Sequence, residues 1–163
     1  AAKADMVSET SRKLAIGQMR CLNYYASEIL KDYEVHGCTD VTGFSLAGHA
    51  LEMAEGSQVT IKIDTKKIPF LPDVEEYAKM GLVPEGTYRN KEFLREKIKL
   101  NDTIKESFED LLFDPQTSGG LLVSLKKKAA KEVLKRLQEQ EQTRYSKIVG
   151  EVEEKQEVHL IFL

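Results

Sequence analysis

Neither a Gly-x-x-x-x-Gly-Lys-Ser/Thr phosphate loop nor a Gly-x-Gly-x-x-Gly dinucleotide motif occurs in the 163 residues. Two common ways of cradling a nucleotide are therefore excluded. No Ser, Cys or Lys nucleophile stands beside a plausible base and an orienting group, so covalent catalysis has no candidate in this chain. Cysteine is scarce: Cys21 and Cys38 are the only two. Two thiols suit a reducing compartment better than a disulfide scaffold, and a cytoplasmic location is expected. No apolar run approaches the roughly 20 residues that span a bilayer. The start, Ala1-Ala2-Lys3-Ala4-Asp5, has no apolar signal-peptide segment, so no membrane partner is expected. A basic excess is also lacking. The net charge of −3 argues against a nucleic-acid module, and any phosphate site must rest on local N–H groups and metal. No repeat or low-complexity stretch points to a second domain. The missing initiator methionine suits a sequence that begins inside a longer protein, and equally one trimmed by processing or cloning.

What is present is ordinary for a globular domain: 41% hydrophobic and 31% charged residues, enough for one real core. Residues from about Ser8 to Tyr33 read as one or two helices, with Ser8 to Ser11 able to cap and Gly17 as a possible break. Within them Cys21 reads as a packed small residue. Val59, Ile61 and Ile63 alternate with Thr60, Lys62 and Asp64, predicting a strand with one buried face. Asp73 to Met80 reads as a short helix, Leu82 to Asn90 as a loop around a Pro-Glu-Gly turn, and Asn101 or Asp102 as the start of a helix to Leu112. Arg89 in that loop suits either a phosphate or a neighbouring carboxylate. Leu121 to Leu125 reads as a buried strand and Lys126 to Glu141 as a helix. Ile148 to Val152 and Val158 to Leu163 follow as strands joined by an acidic turn. The alternation predicts a single layered α+β domain in which a mixed β-sheet packs with α-helices.

Two stretches carry unusual punctuation. The first, His36-Gly37-Cys38-Thr39-Asp40-Val41-Thr42-Gly43-Phe44, reads as a strand end and a tight turn. A helix follows, with Phe44, Ala47, Leu51 and Ala54 at helical spacing. Such a helix start leaves N–H groups unpaired beside a partial positive charge, which suits a phosphate. Asp40 would place a hard oxygen there, where magnesium bridging phosphates wants one. It serves equally as a plain helix cap, and the residues leave both readings open. His36, Cys38 and His49 match known zinc spacings poorly, and His49 reads as an ordinary polar helix residue. The second stretch is Asp114-Pro115-Gln116-Thr117-Ser118-Gly119-Gly120, whose glycines permit a tight turn or a close approach.

Taken together, Cys38 to Phe44, Gly48-His49, Gly86-Thr87 before Arg89-Asn90, and Asp114 to Leu122 resemble selenophosphate synthetase (selenide, water dikinase). The resemblance covers about Ser8 to Leu163 and only the carboxyl-terminal half of that enzyme. This half is similar to the carboxyl-terminal domain of aminoimidazole ribonucleotide synthetase. Residues 1–163 are then one carboxyl-terminal domain whose amino-terminal catalytic half lies outside the sequence. The resemblance implies formation of selenophosphate, AMP and orthophosphate from ATP, selenide and water, with Mg2+ required. It also implies a homodimeric parent and contact with its own amino-terminal domain. That half carries the reactive cysteine or selenocysteine, a lysine, a glycine-rich segment and most metal-binding aspartates. Gly37-Cys38 is not that reactive motif, and no catalytic residue is expected in this chain. Asp40 matches the family's magnesium-binding aspartate, and Thr39, Thr42 and Gly43 are expected to shape the phosphate pocket around it. Ser45 departs from the glycine that the family commonly has there. A non-catalytic partner-binding relative, or the matching domain of a purine-biosynthetic ligase relative, is the alternative.

Overall fold

The alternating strand and the helix after Phe44 each present one apolar face, and those two faces meet. The computed structural model describes residues 1–163. In chain order its helices are α1 (Glu9–Arg20), α2 (Tyr24–Leu30), α3 (Ser45–Ser57), α4 (Val74–Lys79), α5 (Glu85–Leu94), α6 (Glu106–Leu112) and α7 (Lys127–Gln138). The strands are β1 (Val35–Asp40), β2 (Val59–Ile63), β3 (Lys99–Leu100), β4 (Leu121–Leu125), β5 (Gly150–Glu154) and β6 (Leu160–Phe162). Ala47, Ala50, Leu51 and Ala54 of α3 pack on Ile61 and Ile63 of β2 and on Leu160 and Phe162 of β6, with Leu94, Ile98, Leu112 and Phe113 closing the core. Three alanines on one helical face let α3 lie close to the sheet, and the large side chains come from its partners.

The main sheet runs β3-β6-β2-β5 and is mixed: β2 pairs antiparallel with β5 and parallel with β6, and β3 pairs parallel with β6. The mixed α+β architecture is the one expected from the sequence. The two C-terminal strands do not pair with each other, because β2 lies between them. Thr60 explains the crossing. It is fully buried, donates to the Val158 carbonyl at 2.7 Å and accepts the Gln156 amide at 2.8 Å. The polar residue expected on an outer face is thus the pin of the β5–β6 connection. Lys62 does face outward, in an ion pair with Glu153 at 2.7 Å.

A second, two-stranded ribbon pairs β1 and β4 antiparallel, with Cys38, Thr39 and Asp40 opposite Val123, Leu122 and Leu121. It separates the main core from a small cluster of Ile29, Leu30 and Val133, against which Leu121, Val123 and Leu125 pack. The β4 run is half-buried throughout rather than fully enclosed.

Three local expectations are corrected. The segment from Leu82 to Asn90 is not one loop, since α5 begins at Glu85 after Pro84. Gly86 sits inside that helix because a Cβ there would lie 3.0 Å from the Pro115 ring. Close approach, not a turn, is the reason for the glycine. The helix expected from Asn101 starts only at Glu106. The Asn101 side chain instead accepts from the Thr103 amide at 3.0 Å and hydroxyl at 2.7 Å, a local turn that competes with helix. In the N-terminal segment Ser8 caps α1 as expected, accepting the Ser11 amide at 3.1 Å. The break falls at Cys21–Asn23 rather than at Gly17, which stays helical. Half-buried Cys21 points its thiol at the Gln142 carbonyl, 3.4 Å away.

Candidate functional site

β1 delivers Asp40 to the end of the ribbon, where the loop Val41-Thr42-Gly43-Phe44 leads into α3. Asp40 is exposed and its carboxylate takes part in no hydrogen bond or ion pair with the chain. The helix itself starts five residues later, at Ser45, and the residue at its N-cap, Phe44, provides no side-chain cap. The capping reading of Asp40 therefore has no geometric support. Strand alternation puts Thr39 on the opposite face from Asp40; its hydroxyl donates to the Asp40 carbonyl at 3.2 Å.

Two distant segments hold this loop, residues 116–120 and Asn90, and Asn23 in turn holds the first of them. The Val41 amide donates to the Gly120 carbonyl at 2.9 Å, and the Gln116 amide donates to the Thr42 carbonyl at 3.1 Å. Asn90, from α5, donates to both the Gly43 carbonyl at 2.9 Å and the Phe113 carbonyl at 3.0 Å. Asn23 donates to the Gly119 carbonyl at 3.0 Å. A Cβ on Gly119 would penetrate the Val41 carbonyl group, so the Gly119-Gly120 pair serves backbone approach. The four sequence motifs are thus one hydrogen-bonded assembly around residues 40–45.

The start of α3 carries two further features. Ser45 is fully buried with φ 70°, a conformation that costs a non-glycine residue about 1–2 kcal/mol. Its hydroxyl donates to the Phe44 carbonyl and lies 3.4 Å from the Gly48 amide. The glycine that the resemblance leads one to expect here would suit this backbone conformation. The amides of Thr42, Gly43, Phe44, Leu46 and Ala47 donate to no acceptor of the chain. Unpaired amides at a helix start attract anions.

His49 is a buried residue tied into the loop, not an ordinary polar helix residue. Its Nε2 is 2.9 Å from Thr42 Oγ1 and its Nδ1 is 3.1 Å from Glu52 Oε2. Phe44 stands edge-on to the ring, with centroids 6.0 Å apart. Asn90, Gln116 and Asn23 had no role in the sequence reading. Their only signal there was the place of two of them inside the shared motifs.

Burial pushes the pKa of Asp114 up against the hydrogen bonds from Gln116 at 2.8 Å and Thr87 at 3.4 Å. Partial burial, and then the nearby Asp40 charge, raise the Cys38 thiol above its ordinary value. Cys38 is therefore held in its protonated, less nucleophilic form at neutral pH. Arg89 is exposed and loosely paired with Glu85 at 3.9 Å. Metal capacity is limited. No three His, Cys, Asp or Glu side chains converge on one point, so any metal at Asp40 would need its other ligands from outside this cluster.

The profile of the family described as AIR synthase related protein, C-terminal domain, matches residues 8–162. The chain belongs to this family. Among curated relatives, a selenide, water dikinase of Clostridium botulinum (strain Eklund 17B / Type B) is 46% identical, over 95% of this chain and 44% of its own length. That of Caldanaerobacter subterraneus subsp. tengcongensis is 46% identical, over 96% of this chain and 45% of its own. Selenide, water dikinase 2 of Peptoclostridium acidaminophilum is 42% identical, over 99% and 46%. The chain thus spans less than half the length of these relatives. Among solved structures, Escherichia coli HypE matches with a TM-score of 0.60 at 18% identity, over 83% of this chain and 34% of its own. That likeness concerns the fold. No helix of the chain is long and apolar enough to cross a membrane.

Proposed function

We propose that this chain is the carboxyl-terminal domain of a selenide, water dikinase, which forms selenophosphate, AMP and phosphate from ATP, selenide and water. In this reading Asp40 is its magnesium ligand, Thr42 and Gly43 shape the phosphate pocket, and the unpaired amides of Thr42, Gly43, Phe44, Leu46 and Ala47 are donors to the nucleotide's phosphates. Thr39 supports the strand end through its bond to the Asp40 carbonyl. The carrying observation is the exposed, unpartnered Asp40 carboxylate at the end of β1, beside a loop braced from residues 116–120 and from Asn90. The braced backbone fixes where that carboxylate can meet a cation. Magnesium, when bound, neutralises phosphate charge and draws phosphate oxygens together. The chain's own part is positional: Asp40 offers the anionic oxygen, and the amides offer donors to phosphate oxygens.

The remaining functions fall to the amino-terminal portion of a cytoplasmic, homodimeric parent: the reactive cysteine or selenocysteine, the lysine and most metal-binding aspartates. The 163 residues form one domain that docks against that portion. The similarity to proteins named selenide, water dikinase supports this reading over a non-catalytic module or a purine-biosynthetic relative. The test is AMP release from ATP and magnesium, with and without selenide. The chain alone is expected to give none above background, and the chain joined to its parent's preceding sequence is expected to give selenide-dependent AMP. Robust turnover by the chain alone, or none by the joined protein, would contradict the assignment.

A further inference from the structure

Two residues of α3, His49 and Glu52, stand three apart on one helical face and form a hydrogen-bonded line that ends on Thr42. The His49 side chain is 11% exposed and that of Glu52 63%, so the ring is enclosed while its carboxylate partner reaches solvent. We propose that His49 is a positioning residue: Glu52 fixes its ring as the Nδ1–H tautomer, and the ring then holds the Thr42 hydroxyl as an acceptor toward the ligand.

The chemistry leaves little choice for the neutral ring. An ionised carboxylate only accepts hydrogen bonds. At 3.1 Å from Glu52 Oε2, Nδ1 must therefore carry the hydrogen, since a bare nitrogen lone pair would face a negative oxygen. Nε2 is then an acceptor, and the group 2.9 Å away is the Thr42 hydroxyl. The hydroxyl has a single hydrogen, and that hydrogen is directed at His49. Only lone pairs remain on Thr42 Oγ1. Any further partner must be a donor or a cation, such as a water of a hydrated divalent ion. An unprotonated phosphate oxygen, which only accepts, is refused.

This division of labour rests on the reading of the Asp40 loop as a metal–nucleotide site. Phosphate oxygens go to the amides, and Thr42 takes the hydration shell of the ion beside Asp40. Packing alone does not account for the line, because Glu52 is mostly exposed yet lies within hydrogen-bond reach of the buried ring.

The test uses the 163-residue chain with 15N-labelled histidine, without metal or nucleotide, at alkaline pH. Ring-nitrogen shifts of His36, His49 and His159 report which nitrogen bears the hydrogen, and His49→Gln assigns the signals. For His49 an Nδ1–H to Nε2–H ratio of about ten to one or more is expected, the factor one charge-assisted bond supplies. Glu52→Ala should lower that ratio several-fold without moving the thermal midpoint, and Glu52→Gln should fall between. Thr42→Val should keep the tautomer and shift the Nε2 signal as its partner is lost. A predominant Nε2–H tautomer, a ratio unchanged in Glu52→Ala, or an Nε2 signal unmoved in Thr42→Val would overturn the proposal. The measurement needs no ligand. A normal magnesium response of Asp40→Asn in the parent would overturn the functional reading while leaving the tautomer result standing.

Discussion

Replacing Gly119 with alanine should be among the most damaging single-methyl changes in the chain, while the same change at Gly120 should be harmless. A Cβ on Gly119 would enter the Val41 carbonyl oxygen's contact surface and lie 3.1 Å from its carbon and 3.2 Å from Gln116 Cβ. The obstruction is backbone and cannot rotate away. Relief requires the 118–120 turn to withdraw from β1. Withdrawal strains the bond from the Val41 amide to the Gly120 carbonyl and that from Asn23 to the Gly119 carbonyl. Each such bond contributes about 1 kcal/mol, and overpacking itself costs about 1–3 kcal/mol. A loss of about 2–3 kcal/mol, hence a melting-point drop of roughly 4–12 °C for a chain of this size, is the expected outcome. At Gly120 nothing lies within 4 Å of an added Cβ, and φ is not positive. Alanine there should be neutral or stabilising by about 0.4–1 kcal/mol through the unfolded state. Paired thermal and urea unfolding of the two variants decides the matter. Equal effects at both positions would refute the close-approach explanation.

Two further expectations follow from the same loop. At Ser45, φ 70° should invert the usual helical order, making Ser45→Gly about 1 kcal/mol more stable than Ser45→Ala; urea unfolding showing alanine ahead would remove the strain argument. Asp114 is raised in the folded state, so it favours folding below the unfolded aspartate range. That advantage is lost as pH rises through that range toward the raised value. The stability of the parent chain relative to Asp114→Asn should therefore fall between about pH 3 and neutrality, and a gap that widens in the parent's favour would show the sign to be wrong.

Much of the fold was legible because its main signals are local. The alternation of β2, the helical spacing of α3 and α7 and the Ser8 cap of α1 all lie within a few residues of one another in sequence. What escaped was set by distant partners. Pro84-Glu85-Gly86 reads as a turn until Pro115 is seen against Gly86, and Thr60 reads as an outer-face residue until the 156–158 segment folds over it. Asn101 shows the opposite failure, since a side chain able to start a helix made its own turn instead. At the site, the motif residues were legible as a set, but their mutual contacts were not. Nothing in the spacing of Asn90, Gln116 and His49 says that all three grip residues 42 and 43. The cap role left open for Asp40 could be settled only by where α3 begins.

The central claim is that Asp40 meets magnesium and nucleotide and does not hold the fold together. The direct measurement is the magnesium dependence of selenide-dependent AMP formation by Asp40→Asn in the chain joined to its parent's preceding sequence, beside the variant's unfolding curve. Asparagine keeps the size and removes the charge a hard cation prefers. Because the carboxylate has no partner in the chain, stability should change by no more than about 0.5 kcal/mol. Turnover should fall about a hundredfold and recover partly at high magnesium. Normal turnover with an unshifted magnesium dependence would contradict the account.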